Sequence, residues 1–284
     1  MIIDGCPAMI FQLKELWRLC FEDCEEDIDY FFRYRFDSTE CMVDWQEGRV
    51  TAMLFLLSAQ QKGILDKSAG YIYAFATHPD FRGRGIATKL LKSARLRMIA
   101  RGGFTFLCPA EDPLYYFYAK RGFRECYSVW TCGGKASKTA VDSTRIHLTD
   151  CSALDYYKQR SEYLKAPDIF WDAAAVKYAV AENNHSGGIC KKIYLSNNSV
   201  GAVLCRMDKD KVLWMRELLL PQEYGYLIPE LAVVLAEQFK QENKAGKQLC
   251  WRVLSPVRYK GAARQRIGMA DTADGEGYLN LILD

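Results

Sequence analysis

Residues 77–91 read Thr-His-Pro-Asp-Phe-Arg-Gly-Arg-Gly-Ile-Ala-Thr-Lys-Leu-Leu, and this stretch decides the fold. Residues 71–77 are rich in β-branched and aromatic side chains, and the larger ones recur at every second position, which predicts a strand. From Ile86 onward the apolar residues follow helical spacing, and two consecutive glycines after Arg101 are typical of a helix end. The sequence therefore predicts a strand, a glycine-rich loop and a helix in that order.

Positively charged side chains surround the start of this predicted helix. A helix N-terminus carries unpaired N–H groups and about half a positive charge, so acidic residues normally occupy its first turn. Arg82, Arg84 and Lys89 lie there instead. A bound pyrophosphate would remove the conflict, because the amides of residues 83–88 would point at it and the arginines would add charge-assisted hydrogen bonds.

Spacing separates three kinds of phosphate-binding loop. The P-loop needs Gly-Lys followed by Ser or Thr at its end, and that ending is absent. A dinucleotide fingerprint needs a third small residue at position 88 and an early βαβ unit around the loop. The sequence has Thr88 there and no such unit, so this class does not fit either. What remains is Arg-x-x-Gly-x-Ala, from Arg82 to Ala87, after a strand and opening a helix. This run resembles the pyrophosphate signature of the GNAT superfamily of N-acetyltransferases.

The resemblance implies that the chain uses acetyl-CoA as cosubstrate. In GNAT proteins the strand before the loop pairs with the pantetheine arm, and the loop and first helical turn hold the pyrophosphate. The implied cofactor-binding residues are Phe75, Ala76, Thr77, Arg82, Gly83, Arg84, Gly85, Ile86, Ala87 and Thr88. A backbone N–H near Phe75 or Ala76 is expected to support the thioester oxygen as charge develops.

A second motif follows at the spacing that the family requires. After an apolar strand at 104–108 comes Tyr118-x-x-x-Gly122-Phe123. This is similar to the GNAT helix whose tyrosine reaches the coenzyme sulfur, so the resemblance implies that Tyr118 is the catalytic acid. The alternative is that Tyr115, Tyr116 and Tyr118 are aromatic packing residues with solvated hydroxyls.

The order of elements predicts an α+β fold with a GNAT-like mixed central sheet flanked by helices. Helices are expected within residues 9–36, and strands at 41–44 and 50–58. Residues 131–142 are small or polar and predict a linker, or a weak strand and turn. We therefore expect a GNAT acetyl-CoA-binding catalytic domain at residues 1–132 and a second domain at residues 143–284.

The second half repeats the first in degenerate form. Helices are predicted at 152–164, 170–182 and 225–243, a hairpin at 192–207, and strands at 212–220 and 248–254. Residues 220–226, where the phosphate loop would recur, hold no arginine and one glycine, and Glu223 would repel phosphate. We expect a degenerate GNAT-like domain that binds no coenzyme A and forms part of the acceptor cleft. Such an order of elements also arises in α+β domains without kinship.

Composition favours an intracellular enzyme. The formal net charge is +3, too small to argue for nucleic acid as a partner. Eleven cysteines without a Cys-x-x-Cys pair, and three histidines, indicate a reduced chain with no metal site. Cys108 is interpreted as a strand-end packing residue rather than a nucleophile. Neither a signal peptide nor a membrane span is apparent, so the expected location is cytoplasmic, with no membrane partner.

The resemblance implies transfer of an acetyl group from acetyl-CoA to a primary amine of a small molecule or peptide, by direct attack in a ternary complex. The sequence leaves the general base open among Glu111, Asp112, Glu26 and Asp29. Six acids within residues 22–29 suit a cationic acceptor, although such runs mostly solvate helix starts. Two alternatives stay open: a noncatalytic acyl-CoA sensor or binding module, and an aminoacyl or longer-acyl transferase.

Overall fold

The computed structural model describes residues 1–63, 66–136, 145–239, 248–272 and 275–281. The described residues of the first half form four α-helices and six strands. In chain order they are β1 (Ile2–Asp4), α1 (Ile10–Cys20), α2 (Glu25–Tyr34), β2 (Cys41–Gln46), β3 (Arg49–Gln61), β4 (Lys67–Thr77), α3 (Ile86–Ala100), β5 (Phe104–Leu107), α4 (Asp112–Ala119) and β6 (Arg124–Ala136).

The second half repeats much of this order. Its elements are β7 (Ile146–Asp150), α5 (Ala153–Tyr163), β8 (Ile169–Phe170), α6 (Ala173–His185), β9 (Ile189–Leu195), β10 (Asn198–Met207), β11 (Leu213–Leu219), α7 (Ile228–Glu237), β12 (Leu249–Ser255), β13 (Ala263–Ala270) and β14 (Gly277–Tyr278). The predicted α+β architecture, with a mixed sheet flanked by helices, is confirmed.

One continuous sheet joins the two halves. Its strand order is β1-β2-β3-β4-β5-β13-β6-β12-β11-β10-β9-β7. One face packs against α1, α2, α5 and α6, and the other against α3, α4 and α7. Strand β3 shows the alternation that this requires, because Met53 and Phe55 enter the first core while Leu54 and Leu56 enter the core under α3.

The two halves exchange strands at the centre of the sheet. In the first half β13 lies between β5 and β6, and in the second half β6 lies between β12 and β13. Strand β6 is antiparallel to both partners: Ser128 pairs with Arg266 of β13, and Cys132 pairs with Val253 of β12. Each half therefore completes its sheet with a strand from the other.

Several predicted bounds change. Residues 131–136, which were predicted as part of a linker or of a weak strand and turn, continue β6, as the strand alternative has it, and residues 137–142 lie outside the described residues. The helix predicted at 170–182 begins at Ala173, because the Asp172 side chain caps it by accepting from the Ala175 N–H. The helix predicted at 225–243 is preceded by a 3-10 turn at Gln222–Leu227, and α7 begins where Pro229 fits the first turn.

The described part of the chain was compared with what a membrane span and a metal site require. None of its helices combines the length and the apolar character that crossing a bilayer requires. Nowhere within it do three His, Cys, Asp or Glu side chains come close enough together to hold a metal ion.

Candidate active site

Strands β4 and β5 separate toward the glycine-rich loop. Their parallel pairing ends at Tyr71 with Phe106. Strand β4 then bulges. Tyr73 pairs with Phe55 and Ala76 pairs with Met53, so the two residues 74 and 75 of β4 lie opposite the single residue 54 of β3. In the bulge Ala74 has a φ of 45°, a left-handed conformation that non-glycine residues rarely adopt. Strain of this kind concentrates at functional sites.

A cavity of 390 Å³ lies between the separated strands, and we call it the β4–β5 cavity. Its walls come from β4, the loop after β5, α1, the α1–α2 loop and α4. Phe75 and Tyr118 line it on one side, and Trp17 and Tyr73 line it on the other. Cys108 also lines it, but no histidine of the described residues does, so the geometry offers this thiol no histidine base.

Tyr118 is buried in this wall, with 7% of its surface exposed. Its hydroxyl makes no hydrogen bond to any part of the chain that the structure describes. Burial raises the pKa of the Tyr118 phenol to about 12, while Arg121 acts in the opposite direction. Gly122, with a φ of 86°, ends α4 and lets the chain turn so that Phe123 packs edge-on against the Tyr118 ring, 5.8 Å between centroids.

The other two tyrosines of α4 lie elsewhere. The Tyr116 side chain is 66% exposed, and Lys120 stacks on its ring. The Tyr115 hydroxyl lies 3.5 Å from the Arg266 carbonyl oxygen, on β13. Neither lines the β4–β5 cavity. Of the three tyrosines, Tyr118 is thus the one that lines the β4–β5 cavity.

The glycine-rich loop forms an exposed N-terminus at α3. Gly83 and Gly85 have φ values of 76° and 75°, and a Cβ on either would meet nothing within 4 Å, so conformation and not space requires glycine there. Gly85 is the N-cap, and the first turn of α3 holds no acidic residue and no side-chain cap. Unpaired N–H groups at the start of a helix attract anions.

The loop arginines are exposed and close to these amides. Arg82 donates to the Thr77 carbonyl oxygen at 3.2 Å, and Arg84 donates to the Asp80 carbonyl oxygen at 2.8 Å. Of the other predicted cofactor-binding residues, Ile86 begins α3 and its side chain is buried in the core under this helix, and Ala76 is buried in β4. Ala87 follows Ile86 and is half-buried, while Thr88 is exposed.

Arg121 is a candidate phosphate ligand that the sequence motif did not predict. Its Nε donates to the Thr88 hydroxyl at 3.1 Å, and its guanidinium stacks on the Phe117 ring at 3.5 Å, so it lies at the start of α3. It occupies a variable position of Tyr118-x-x-x-Gly122-Phe123, and only the packing of α4 on α3 reveals its place.

The basic face of α3 is only partly available to a ligand. Arg95 bonds Asp271 at 2.9 Å, and Arg97 is paired with Asp4, so these two side chains hold the fold together. Lys89 and Lys92 are exposed. An anionic ligand at α3 would therefore meet the exposed lysines Lys89 and Lys92, in the first half of the helix.

The structure points to other acidic residues as the general base than the four that the sequence left open. Asp29 bonds Lys14 at 2.6 Å and lies away from the cavity, and the cavity walls include none of Glu26, Glu111 and Asp112. The carboxylates that do line the β4–β5 cavity are Glu22 and Asp23. Asp23 is oriented by the Trp17 indole N–H, which donates to it at 2.7 Å.

The corresponding cleft of the second half is filled. The parallel pairing of β11 and β12 ends at Met215 with Val253, as in the first half. Beyond it, the Asn280 amide donates to the Arg216 carbonyl oxygen and the Tyr278 hydroxyl donates to Glu217, each at 2.7 Å. Arg160 is also bonded to Glu217 at 2.9 Å, and both side chains are buried. The C-terminal strand and this ion pair occupy the space that the first half leaves open.

Comparison with known proteins agrees with this geometry. Residues 10–123 match the model of the acetyltransferase (GNAT) family. No curated protein matches the sequence at a significant level. A GCN5-related N-acetyltransferase from Anabaena variabilis has a similar structure, with a TM-score of 0.72 and 15% identity over 95% of this chain and 72% of that chain.

Two further structures have the same fold. A probable N-acyltransferase from Enterococcus faecalis has a TM-score of 0.67 and 13% identity, again over 95% of this chain and 72% of that chain. A tandem GNAT protein from the clavulanic acid biosynthesis pathway has a TM-score of 0.55 and 12% identity, over 95% of this chain and 97% of that chain. Identities this low show a common fold and nothing finer.

Proposed function

We propose that the protein is an N-acyltransferase that moves an acetyl group from acetyl-CoA to a primary amine of a small molecule or peptide, since residues 10–123 match the model of the acetyltransferase (GNAT) family. The observation that supports this best is that the bulged strand β4 and the buried Tyr118 line one cavity, the β4–β5 cavity. The exposed N-terminus of α3 follows β4 along the chain, and Arg121, three residues after Tyr118, bonds Thr88 in the first turn of α3.

The residues present fit the acetyl-CoA cosubstrate. Its pyrophosphate meets the amides of residues 83–88, with Arg82, Arg84 and Arg121 supplying charge. Its pantetheine arm pairs with the backbone of β4 at residues 75–77, where β5 has moved away. The bound thioester supplies an activated acyl carbon to the reaction.

Backbone and phenol then act on the two ends of the thioester. A backbone N–H of the bulge, at Phe75 or Ala76, donates to the carbonyl oxygen as negative charge develops there. Tyr118 donates to the sulfur. Its pKa of about 12 exceeds the roughly 8.5 of a thiol by roughly 3.5 units, so the phenol serves as a hydrogen-bond donor more readily than as a full proton donor.

The acceptor amine must be neutral to attack. A lysine-like amine has a pKa of about 10.4 and is mostly charged at neutral pH, so a carboxylate or a water chain has to take its proton. Glu22 and Asp23 are the carboxylates placed for this at the β4–β5 cavity. The amine nitrogen then bonds to the acyl carbon, the carbon–sulfur bond breaks, and the thiolate leaves.

The test is thiol release from acetyl-CoA in the presence of a panel of monoamines, diamines, aminoglycosides and basic peptides. Amine-dependent release with a mass shift of one acetyl group on the amine is the expected result. Tight binding of acetyl-CoA without release on any amine would instead favour a noncatalytic acyl-CoA-binding protein. Faster release from longer acyl-CoA donors would favour a longer-acyl transferase.

A further inference from the structure

A second cavity, of 150 Å³, lies between the two halves of the molecule, and we call it the inter-half cavity. Helix α2 and the α1–α2 loop supply one wall, and α6 and β10 supply the other. It shares Trp17, Asp23 and Tyr73 with the β4–β5 cavity, so these three residues form the boundary between the two spaces. The inter-half cavity therefore continues from the place where the acyl group is expected.

Aromatic rings form much of the wall of the inter-half cavity. Phe31 lies 5.5 Å from Tyr73 and 6.5 Å from Tyr178, measured between ring centroids. Tyr30 lies 5.9 Å from Tyr178 and is stacked on His185 at 4.1 Å. The faces of such rings are negative, so a cluster of them attracts an organic cation.

Carboxylates complete the wall. Asp23 and Asp27 both line the inter-half cavity. Among the described residues, the ionic neighbour of Asp27 is the His185 ring at 3.9 Å, and the Cys24 thiol donates to the Asp27 carboxylate at 3.0 Å. Glu182 also lines it, but Arg216 bonds this carboxylate at 2.8 Å and Arg206 lies 3.8 Å away. Arg206 also lines the cavity, so three carboxylates (Asp23, Asp27 and Glu182) stand against two guanidiniums (Arg206 and Arg216). One negative charge is left over, and it favours a cation.

We propose that the acceptor is a compact aliphatic diamine, whose reacting amine enters the β4–β5 cavity while its second, ammonium group occupies the inter-half cavity against Asp27 and the aromatic rings. This inference rests on the proposed acyltransferase function and names its acceptor class.

Size supports a small head group. At 150 Å³ the inter-half cavity has less than half the volume of the β4–β5 cavity, at 390 Å³, so it suits a compact ammonium group on a short alkyl chain better than a linked set of sugar rings. Because the two cavities share a boundary of three side chains, a few methylene groups suffice to connect the two amines.

The experiment compares three acceptors of equal chain length that differ at the far end. These are 1,4-diaminobutane, 1-aminobutane and 4-aminobutanoate, which carry a second ammonium, a methyl group and a carboxylate. Cation–π and carboxylate contacts together predict a kcat/KM for the diamine about 10-fold or more above that for 1-aminobutane, and the carboxylate should be the poorest acceptor.

Two variants locate the effect. Asp27→Asn and Tyr178→Leu, which alter the inter-half cavity alone, should lower the ratio of diamine to monoamine kcat/KM several-fold. Asp29→Asn is the matched control, since it removes the same charge from the same helix but its carboxylate faces Lys14. Its ratio should equal that of the wild type.

The outcomes separate the two proposals. Equal kcat/KM for diamine and monoamine, or a ratio that Asp27→Asn and Asp29→Asn lower alike, overturns the diamine assignment and leaves the acyltransferase intact. Acetylation of peptides or aminoglycosides without acetylation of diamines does the same. Release of no thiol with any amine overturns the acyltransferase function and the diamine assignment together.

Discussion

Tyr118 is the residue at which catalysis can be tested most directly. If its hydroxyl bonds the departing sulfur, Tyr118→Phe keeps the ring against Phe75 and Phe123 and removes an interaction that strengthens in the transition state. We expect turnover to fall by about 10²-fold, the low end for acid catalysis, because a thiolate is already a fair leaving group. Acetyl-CoA affinity, measured by calorimetry, should barely change.

Tyr116→Phe is the control for this substitution, because Tyr116 belongs to the same helix but is exposed. Its turnover should match that of the wild type. A loss of acetyl-CoA affinity equal to the loss of rate in Tyr118→Phe would show that Tyr118 is only a packing residue.

The pH dependence follows from the same side chain. The raised pKa of Tyr118, about 12, keeps the donor form of the phenol present throughout the neutral and moderately alkaline range. The rate at low amine concentration should therefore rise with pH as the amine loses its proton, and Tyr118 should impose no fall below about pH 10. A pH–rate profile from 6 to 10 checks this. A descending limb near pH 8 to 9 that disappears in Tyr118→Phe would contradict it.

At this scale, sequence reasoning identified residues that a local pattern requires. Gly83 and Gly85 are placed by backbone conformation, and Tyr118 by a motif within one helix. Arg121 was not identified, and Asp23 was identified only as one of six acids within residues 22–29. Their positions in the cleft depend on contacts with Thr88 and Trp17, which lie 33 and 6 residues away in sequence.

Among the elements, α3 carries the clearest charge argument. Arg84→Glu places a like charge beside the expected pyrophosphate, and a lost charged hydrogen bond is worth roughly 1.5 to 3 kcal/mol. Because Arg84 is exposed, we expect acetyl-CoA affinity to fall by at least several-fold, with an unchanged circular dichroism spectrum. Calorimetric titration of the folded variant makes the measurement.

Arg101→Glu is the control for α3. Arg101 follows the other end of the same helix and is exposed, so the net charge changes equally while the loop stays intact. Its affinity for acetyl-CoA should stay near that of the wild type. Equal losses in the two variants would mean that long-range charge, and not the loop, determines affinity.

Local periodicity predicted most helices and strands, but it could not predict their irregularities, such as bulges, or strands that lack an alternating pattern. The alternation in β4 indicated a strand, yet its bulge exists only relative to β3, where two residues face one. Strand β13, Ala-Arg-Gln-Arg-Ile-Gly-Met-Ala, shows no clear alternation. It is a strand because β5 and β6 both pair with it.

At the scale of the whole molecule, the domain boundary at residues 131–142 stays a prediction. One continuous sheet contains strands from both sides of this boundary. The order of β13 and β6 at the centre depends on pairings between segments more than 130 residues apart, such as Arg266 with Ser128. No local signal encodes such register. The filled cleft of the second half similarly depends on a C-terminal segment reaching Arg216 and Glu217.

The strand exchange predicts that the two halves unfold together. Removing either half would leave the other without a central strand and expose the edges of β5 and β6 or of β12 and β13. Scanning calorimetry of the full chain should therefore show one transition, with calorimetric and van't Hoff enthalpies agreeing. Two chains divided after residue 140 should co-purify when expressed together, and residues 1–140 expressed alone should aggregate. Two separate transitions, or a folded monomer of residues 1–140 with its own cooperative unfolding, would show that each half is stable without the strand it receives from the other.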